Sequence, residues 1–338
     1  MSKLFIDENP GCVDDYYFIS VVKDFKIEIC DYFKININSF NVSLDNIQIL
    51  NELSGCNSHV CLLNFYDKEN NKLSKFCLKH SFGSDKESCL KNERDILKLL
   101  NLFDINSPKV IGFRSSVDRF TPCILMEFIQ GHSVDKFKPS LNQVDLVIDK
   151  IIEHQLVIRN NLITPYSFIS DRDLGAYIDF EMKVKTILAS NIPNFTVHSS
   201  LGFLNDYLND AKIIRERVVV TDRSAENIIF NNYNEVTLID FSTLRVGTKF
   251  DNIIQFIDDP RTVLPVDKNI LLKQLFNKFN FSKDEIKYYY VASIYTNLLQ
   301  GIYTYSKNPK IAIDYIKNAN LSFEKLINKK SVLIVINH

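Results

Sequence analysis

Hydrophobic and polar residues alternate in short stretches over the first part of the chain. Between residues 46 and 128, five stretches have the two-residue period of strands, namely NIQILNEL, SHVCLLNF, KLSKFCLKH, KVIGFRS and PCILMEF. A helical period covers about residues 85–100, between the third and fourth stretches, and a mixed helical stretch covers about residues 13–33. The pattern predicts a five-stranded sheet with one helix inserted after its third strand.

From residue 140 onward the period is mostly that of helices. Helical stretches are QVDLVIDKIIEHQLVI, residues 176–190, LGFLNDYLNDAKII and most of 266–328, whereas only VVV, IIF and VTLIDF indicate strands. The chain is therefore predicted to be an α+β protein. We expect a helical N-terminal extension over residues 1–45, a strand-rich domain over 46–130 and a mainly helical domain over 131–338.

Length and composition fit a globular protein of two domains. The chain has 338 residues, and a domain takes roughly 150; 46% of the residues are hydrophobic and 24% are charged, which allows a large core. The net charge of −1 gives no electrostatic reason to expect nucleic acid or a membrane as a partner. Since no apolar run reaches the roughly 18 residues of a membrane span and the start lacks a secretory signal, we expect a cytoplasmic protein.

The cysteines support the same compartment. All seven lie in the first 123 residues, and none belongs to a C-x-x-C pair. An odd number of cysteines without metal-ligand spacing indicates reduced thiols, as in cytoplasmic proteins. A catalytic thiol is the disfavoured alternative, because neither a cysteine cluster nor a paired histidine supports it.

A polar segment, TDRSAEN, lies between two apolar segments that are typical of buried strands. It carries Asp222 and Asn227, and the second strand after it ends in Ile239, Asp240 and Phe241. The turn NNYNE folds this strand back on the first, which brings Asn227 and Asp240 side by side. An amide oxygen and a carboxylate are hard ligands suited to Mg²⁺, which keeps substrate phosphates as its other ligands. Asp222 is then placed to orient an attacking hydroxyl and accept its proton.

The spacing D-x₄-N, followed after thirteen residues by the aspartate of I-D-F, resembles the catalytic segment of the protein-kinase-like superfamily. In detail it is similar to the aminoglycoside phosphotransferase and choline kinase branch, whose segment reads roughly H-G-D-x₄-N-(I/V)-(L/F) and then I-D-F. The resemblance covers about residues 46–260. It implies a two-lobed kinase-like fold, with a five-stranded N-lobe sheet carrying one helix and a larger, mainly helical C-lobe.

Further motifs carry the same resemblance upstream. LSGCNS is similar to the family's phosphate loop, KFCLKH to the strand with its lysine, KNERDILKLL to the helix with its glutamate, and ILMEFIQGHS to its hinge. The resemblance implies Mg²⁺ and ATP, or another nucleoside triphosphate, as cofactors. It assigns catalysis to Asp222, the metal to Asn227 and Asp240, and the nucleotide to Ser54, Gly55, Asn57, Lys79, Glu93, Glu127 and Phe128.

Four positions depart from the family's pattern. The family's histidine two residues before the catalytic aspartate, which braces the loop by hydrogen bonding, is Val220 here, so that brace is replaced or absent. The phosphate loop has only Gly55 where two glycines are common, and Ser242 stands in place of the glycine after the D-F pair. Arg223 follows Asp222 where an apolar residue is common.

Three acidic residues near these motifs have competing interpretations. Glu87 lies nearer the start of the helix and is a rival of Glu93 as the partner of Lys79. Asp258 and Asp259 are candidates for an acidic pocket that takes a cationic acceptor. A solvated helix end is the favoured interpretation of these two aspartates.

Two histidines and one segment have no catalytic assignment. His132 and His154 have no acid at motif spacing, so they are predicted to be structural. Residues 164–193 are interpreted as an insertion or a cap.

Two functions of different classes remain open. The first is a small-molecule kinase that transfers the γ-phosphate of ATP to an acceptor hydroxyl, and it is favoured by the set of Lys79, Glu93, Asp222, Asn227 and Asp240. The second is a non-catalytic pseudokinase that binds a nucleotide or a regulatory partner, favoured by Val220 and the thin phosphate loop. A protein kinase is disfavoured because no Ala-Pro-Glu motif follows Asp240. The acceptor is open, since aminoglycosides, choline-like alcohols, sugars and nucleosides all fit. The oligomeric state is open as well.

Overall fold

The chain divides into two units, Met1–Ile129 and Gln130–His338. The computed structural model describes residues 20, 23–34, 47–49, 59–67, 72–80, 87–115, 122–161, 218–231, 234–242, 244–305 and 308–327. The predicted helices at 176–190 and 201–214 and the unassigned segment 164–193 lie outside these described residues.

The N-terminal unit is built on an antiparallel sheet with the strand order β1-β2-β3-β5-β4. Its strands are β1 Ile47–Ile49, β2 His59–Asp67, β3 Lys72–His80, β4 Val110–Arg114 and β5 Cys123–Glu127. Four of the predicted strands have five residues or more, whereas the first is reduced to a three-residue edge strand. Helix α2, Glu87–Leu102, follows the third strand as predicted and buries its apolar side.

A short helix, α1 (Lys26–Phe33), covers the β4 side of this sheet. Phe25, at the start of the helix, is fully buried. Its ring lies against Gly112 of β4, where an added Cβ would come within 2.5 Å of the ring. The Arg114 guanidinium lies 4.3 Å from the centroid of the Phe25 ring and donates to the backbone oxygen of Asp24. Glycine at position 112 is therefore what allows the helix to approach the strand so closely.

The C-terminal unit is mainly helical with short strands, which confirms the α+β class. Its elements are β6 His132–Ser133, α3 Leu141–Asn161, β7 Val218–Val220, β8 Ile228–Phe230, β9 Val236–Leu238, β10 Arg245–Gly247, α4 Asp251–Ile257, α5 Lys268–Lys278, α6 Lys283–Tyr305 and α7 Pro309–Ile327. The strands form two small sheets, β10-β7 and β6-β8-β9. An aromatic cluster joins α4, α5 and α6, with ring centroids 5.2 Å apart for Phe276 and Tyr289 and 5.9 Å apart for Phe250 and Tyr289. Within the described part of the chain, no helix has both the length and the apolar character needed to span a bilayer.

Candidate active site

The hairpin of β8 and β9 places the two predicted metal ligands at one end. Ile228 pairs with Leu238, and the backbone nitrogen of Ile239 donates to the backbone oxygen of Asn227 at 2.9 Å. Asn227 therefore lies directly across from Ile239, and Asp240 is the next residue along the chain. The predicted hairpin forms, and its register brings Asn227 and Asp240 to the same end.

Asp240 has a backbone conformation that few side chains adopt. Its φ is 56°, in the left-handed region that aspartate tolerates better than most residues. The backbone nitrogen and the hydroxyl of Ser242 both donate to Asp240 Oδ1, at 3.1 and 2.5 Å. Serine, where the family has glycine, thus supplies a second donor that fixes the orientation of the carboxylate.

The Asn227 side chain is buried and oriented by its amide nitrogen. Nδ2 donates to the backbone oxygen of Asp222 at 3.4 Å and to Ser224 Oγ at 3.3 Å. Because the nitrogen takes these two acceptors, the amide oxygen points away from them. An amide oxygen and a carboxylate at one hairpin end fit a Mg²⁺ ion that keeps substrate oxygens in its shell. They do not form a larger protein cage, since the described residues hold no cluster of three or more His, Cys, Asp or Glu side chains suited to a metal.

Asp222 is held near this pair. Its Oδ1 accepts a hydrogen bond from the backbone nitrogen of Ser224 at 3.0 Å. Burial raises the pKa of Asp222 above its ordinary value, and the negative charge of Asp240 raises it further, against the hydrogen bonds of Ser224 and the charge of Arg223. A carboxylate with a raised pKa is a stronger proton acceptor, which is the property a general base needs.

In the N-terminal unit, the predicted lysine and glutamate form an ion pair. Lys79 Nζ on β3 lies 2.9 Å from Glu93 Oε2 on α2, and the two side chains are 5% and 1% exposed. The rival acid, Glu87, pairs instead with Lys91 one turn further along the same helix. The structure therefore joins Lys79 to Glu93, as predicted. Ser54, Gly55 and Asn57 lie outside the described residues.

Comparison with known proteins identifies the architecture. No protein-family model and no curated protein matches the chain. One matching solved structure is the gentamicin complex of APH(2'')-IIa, with 17% identity and a TM-score of 0.55 over 95% of this chain and 98% of that one. A second is the aminoglycoside phosphotransferase APH(2'')-Ib bound to ADP, with 16% identity and a TM-score of 0.52 over 90% of this chain and 99% of that one. A third is an amicoumacin kinase with AMP-PNP and Ca²⁺, with 11% identity and a TM-score of 0.57 over 93% of this chain and 97% of that one. The chain has a protein-kinase-like fold. Identities this low show the fold alone, because one fold supports many reactions.

In this kinase-like fold, the loop of Asp222 is held by side chains that sequence reasoning missed. The backbone nitrogens of every second residue of the loop donate to side-chain oxygens on or just after α4. Thr221 donates to Asn252 at 3.2 Å, Arg223 to Gln255 at 2.8 Å, and Ala225 to Asp259 at 2.8 Å. All three acceptor residues are buried. The available signal was their spacing: positions i, i+3 and i+7 lie on one side of a helix, and α4 is otherwise rich in isoleucine and phenylalanine.

Asp258 and Asp259 form neither a solvated helix end nor an open acidic pocket. Both are only 2% exposed, so the favoured prediction of solvation is wrong. Asp259 makes a two-oxygen pair with Arg261, whose Nε and Nη2 each lie 2.9 Å from a carboxylate oxygen. Asp258 pairs with Lys268 and accepts from Asn297. Buried carboxylates need such partners; Arg261 follows Asp259 by 2 residues, whereas Asn297 follows Asp258 by 39.

The predicted hinge residues lie at the end of β5. The backbone nitrogen of Glu127 donates to the backbone oxygen of Lys109 at 2.9 Å, and Glu127 Oε2 accepts from the Lys109 nitrogen at 3.4 Å. Tyr32 of α1 hydrogen-bonds the same carboxylate; burial, followed by the Glu127 charge, raises the pKa of Tyr32 to about 12. The Phe128 ring lies 5.8 Å from Lys75 Nζ. The Glu127 side chain thus bonds to neighbouring residues of the same unit.

From the buried ion pair of Lys79 and Glu93 we expect variants that change stability and nucleotide affinity independently. Lys79→Met removes the cation beside a buried carboxylate, so the free energy of unfolding should fall by about 3–5 kcal/mol. Lys79→Met combined with Glu93→Gln should recover most of that loss, but nucleotide affinity should stay low in both variants because both lack the charge that is predicted to bind phosphate. Thermal unfolding and nucleotide titration measure the two effects.

Glu87→Gln is the matched control on the same helix. It breaks a partly exposed pair with Lys91, so stability should change by no more than about 0.5 kcal/mol. Wild-type nucleotide affinity in the Lys79→Met and Glu93→Gln double variant would contradict the role of Lys79.

Proposed function

We propose that this protein is a Mg²⁺- and ATP-dependent small-molecule kinase that phosphorylates a hydroxyl group of its acceptor. The observation that carries the proposal is the hairpin end at which Asn227 and Asp240 meet, with Asp222 held close by through Asn227 and Ser224. The kinase-like fold supports the proposal. The names of the matched proteins support it as well, because these proteins are small-molecule phosphotransferases whose structures contain ADP or AMP-PNP.

Each residue has a separate task in this reaction. Asn227 and Asp240 hold Mg²⁺, which neutralises phosphate charge when it is bound. Lys79 binds the phosphates and is fixed by Glu93, while the resemblance assigns further nucleotide contacts to Ser54, Gly55, Asn57, Glu127 and Phe128.

Asp222 orients the acceptor and takes its proton. The acceptor oxygen forms a bond to the γ-phosphorus, the bond from that phosphorus to the bridging oxygen of ADP breaks, and the hydroxyl proton moves to the Asp222 carboxylate. Catalysis by such a site rests on positioning and electrostatic stabilisation, because the protein forms no covalent bond itself. The proposal places this reaction in the cytoplasm.

A non-catalytic nucleotide-binding protein is the second candidate. Val220 favours it, because valine has no polar atom with which to brace the catalytic loop as the family's histidine does. The single glycine of LSGCNS also favours the non-catalytic candidate. Both candidates bind a nucleotide, so only transfer to an acceptor separates them.

The deciding experiment is phosphoryl transfer from γ-labelled ATP and GTP. The purified protein is incubated with Mg²⁺ and pools of polyols, amino alcohols, sugars, nucleosides and aminoglycosides, and products are separated by chromatography. We expect one pool to become labelled in a Mg²⁺-dependent way, and the label to be lost with Asp222→Asn. Mg²⁺-dependent nucleotide binding without transfer to any pool or to a metabolite extract would support the non-catalytic candidate instead.

A further inference from the structure

Arg223 has an unusual position for a charged residue. It follows Asp222, and its side chain is among the largest fully buried ones in the described residues, with 1% exposure. A guanidinium keeps its charge inside a protein, so its burial requires partners that offset the loss of water. The identity of those partners indicates what the residue does.

Arg223 has partners in both loops of the candidate site, the loop of Asp222 and the loop of Asp240. Nη1 donates to the backbone oxygen of Ile239 at 2.9 Å and to the backbone oxygen of Asp222 at 3.2 Å. The guanidinium carbon lies 4.3 Å from the centroid of the Phe241 ring, against which the His154 ring is also stacked. Arg223 thus contacts the residue before Asp240 and the residue after it.

Val220 cannot make the hydrogen bond by which the family's histidine braces the catalytic loop. It occupies the position of the family's bracing histidine, it is fully buried, and its side chain is a hydrocarbon. On β7 it pairs with Arg245 of β10. A hydrogen-bonding link from position 220 to the Asp240 loop is therefore not available through the side chain.

We propose that Arg223 replaces the missing histidine as a positioning residue that fixes Asp240 relative to Asp222. The inference rests on the proposed function, because it assumes that Asp222 and Asp240 act in one reaction. Arginine suits this task since its planar group can donate to two carbonyl oxygens while it stacks on a ring. By holding Ile239 and Phe241, it maintains the left-handed conformation of Asp240 between them.

Four variants test the proposal. Arg223→Leu introduces the apolar residue common in the family, and Arg223→Lys keeps the charge without the planar group. Val220→His combined with Arg223→Leu restores the family's arrangement. Arg114→Leu is the matched control, because Arg114 also stacks 4.3 Å from a phenylalanine ring centroid and donates to a backbone oxygen, but in the N-terminal unit.

Two measurements are made on each variant. The first is Mn²⁺ binding in the presence of ADP, followed by electron paramagnetic resonance, with ADP affinity without metal as the reference. The second is hydrogen exchange of the segment 236–242, compared with that of α4. Neither depends on turnover, and a general loss of folding would change exchange in both segments and ADP affinity as well.

We expect Arg223→Leu to weaken Mn²⁺ binding about 10- to 100-fold, as for the loss of groups that orient metal ligands. Exchange of 236–242 should accelerate while α4 and metal-free ADP affinity stay unchanged. Arg223→Lys should be intermediate, the double variant should regain Mn²⁺ affinity, and Arg114→Leu should leave both readouts at wild-type values. Wild-type Mn²⁺ affinity and exchange in Arg223→Leu would overturn the proposal. A wild-type protein that does not bind Mn²⁺ with ADP would instead reject the proposed function, and the exchange data would still decide whether Arg223 fixes the loop.

Discussion

Asp240→Asn should lower turnover by about 1,000-fold or more and remove the effect of Mg²⁺ on nucleotide affinity. The variant keeps the size of the side chain and an oxygen that can accept from Ser242, so the loop retains its local hydrogen bonds. It loses the only carboxylate assigned to the metal. Metal stabilisation of transferring charge is worth several kcal/mol, and each 1.4 kcal/mol corresponds to a factor of ten.

Calorimetry of ATP binding with and without Mg²⁺ measures the effect. In the wild-type protein Mg²⁺ should tighten binding, and in Asp240→Asn the two titrations should coincide. Asp149→Asn, which alters a half-exposed acid on α3, is the control for a loss of one negative charge. Unchanged Mg-ATP affinity in Asp240→Asn would show that the ion is held elsewhere.

Asp222→Asn should lower turnover by about 100- to 10,000-fold with near-normal Mg-ATP affinity. The asparagine oxygen can still accept from the Ser224 nitrogen, so the loop keeps its shape, but the amide cannot take the acceptor's proton. Since the lost interaction acts in the transition state, kcat and kcat/KM should fall together.

Steady-state kinetics with the acceptor identified in the transfer assay test this result. The comparison needs both constants, because a rise in KM alone indicates lost acceptor binding. An Asp222→Asn variant with the wild-type rate rejects the base assignment and the motif alignment on which it rests.

The parts of the site that sequence reasoning reached are those set by local spacing. The turn between β8 and β9 is short, so the positions of Asn227 and Asp240 follow from counting residues along a hairpin. The pairing of Lys79 with Glu93 needed the order of motifs from the family, because a lysine at a strand end is ordinarily solvated.

The parts that were missed depend on partners that come together only when the chain folds. The Asp222 loop bonds to side chains 31 to 34 residues later; the spacing of these acceptors marks one side of a helix, but it does not say which loop they bind. Asp258 and Asp259 were expected in solvent because aspartate usually is, and their burial depends on Lys268 and Arg261. The burial of Arg223 likewise follows only from the arrangement of Ile239 and Phe241.

The Asp222 loop is synthesised before the side chains that accept its three hydrogen bonds. A ribosome adds about 5–20 residues per second, so roughly 2–7 s separate the synthesis of Ala225 from that of Asp259. During this interval the nascent chain already contains Asp222, but the three side chains that hold its loop are not yet all made. A chain that stops before Asn252 therefore carries Asp222 on a loop that lacks all three of these bonds.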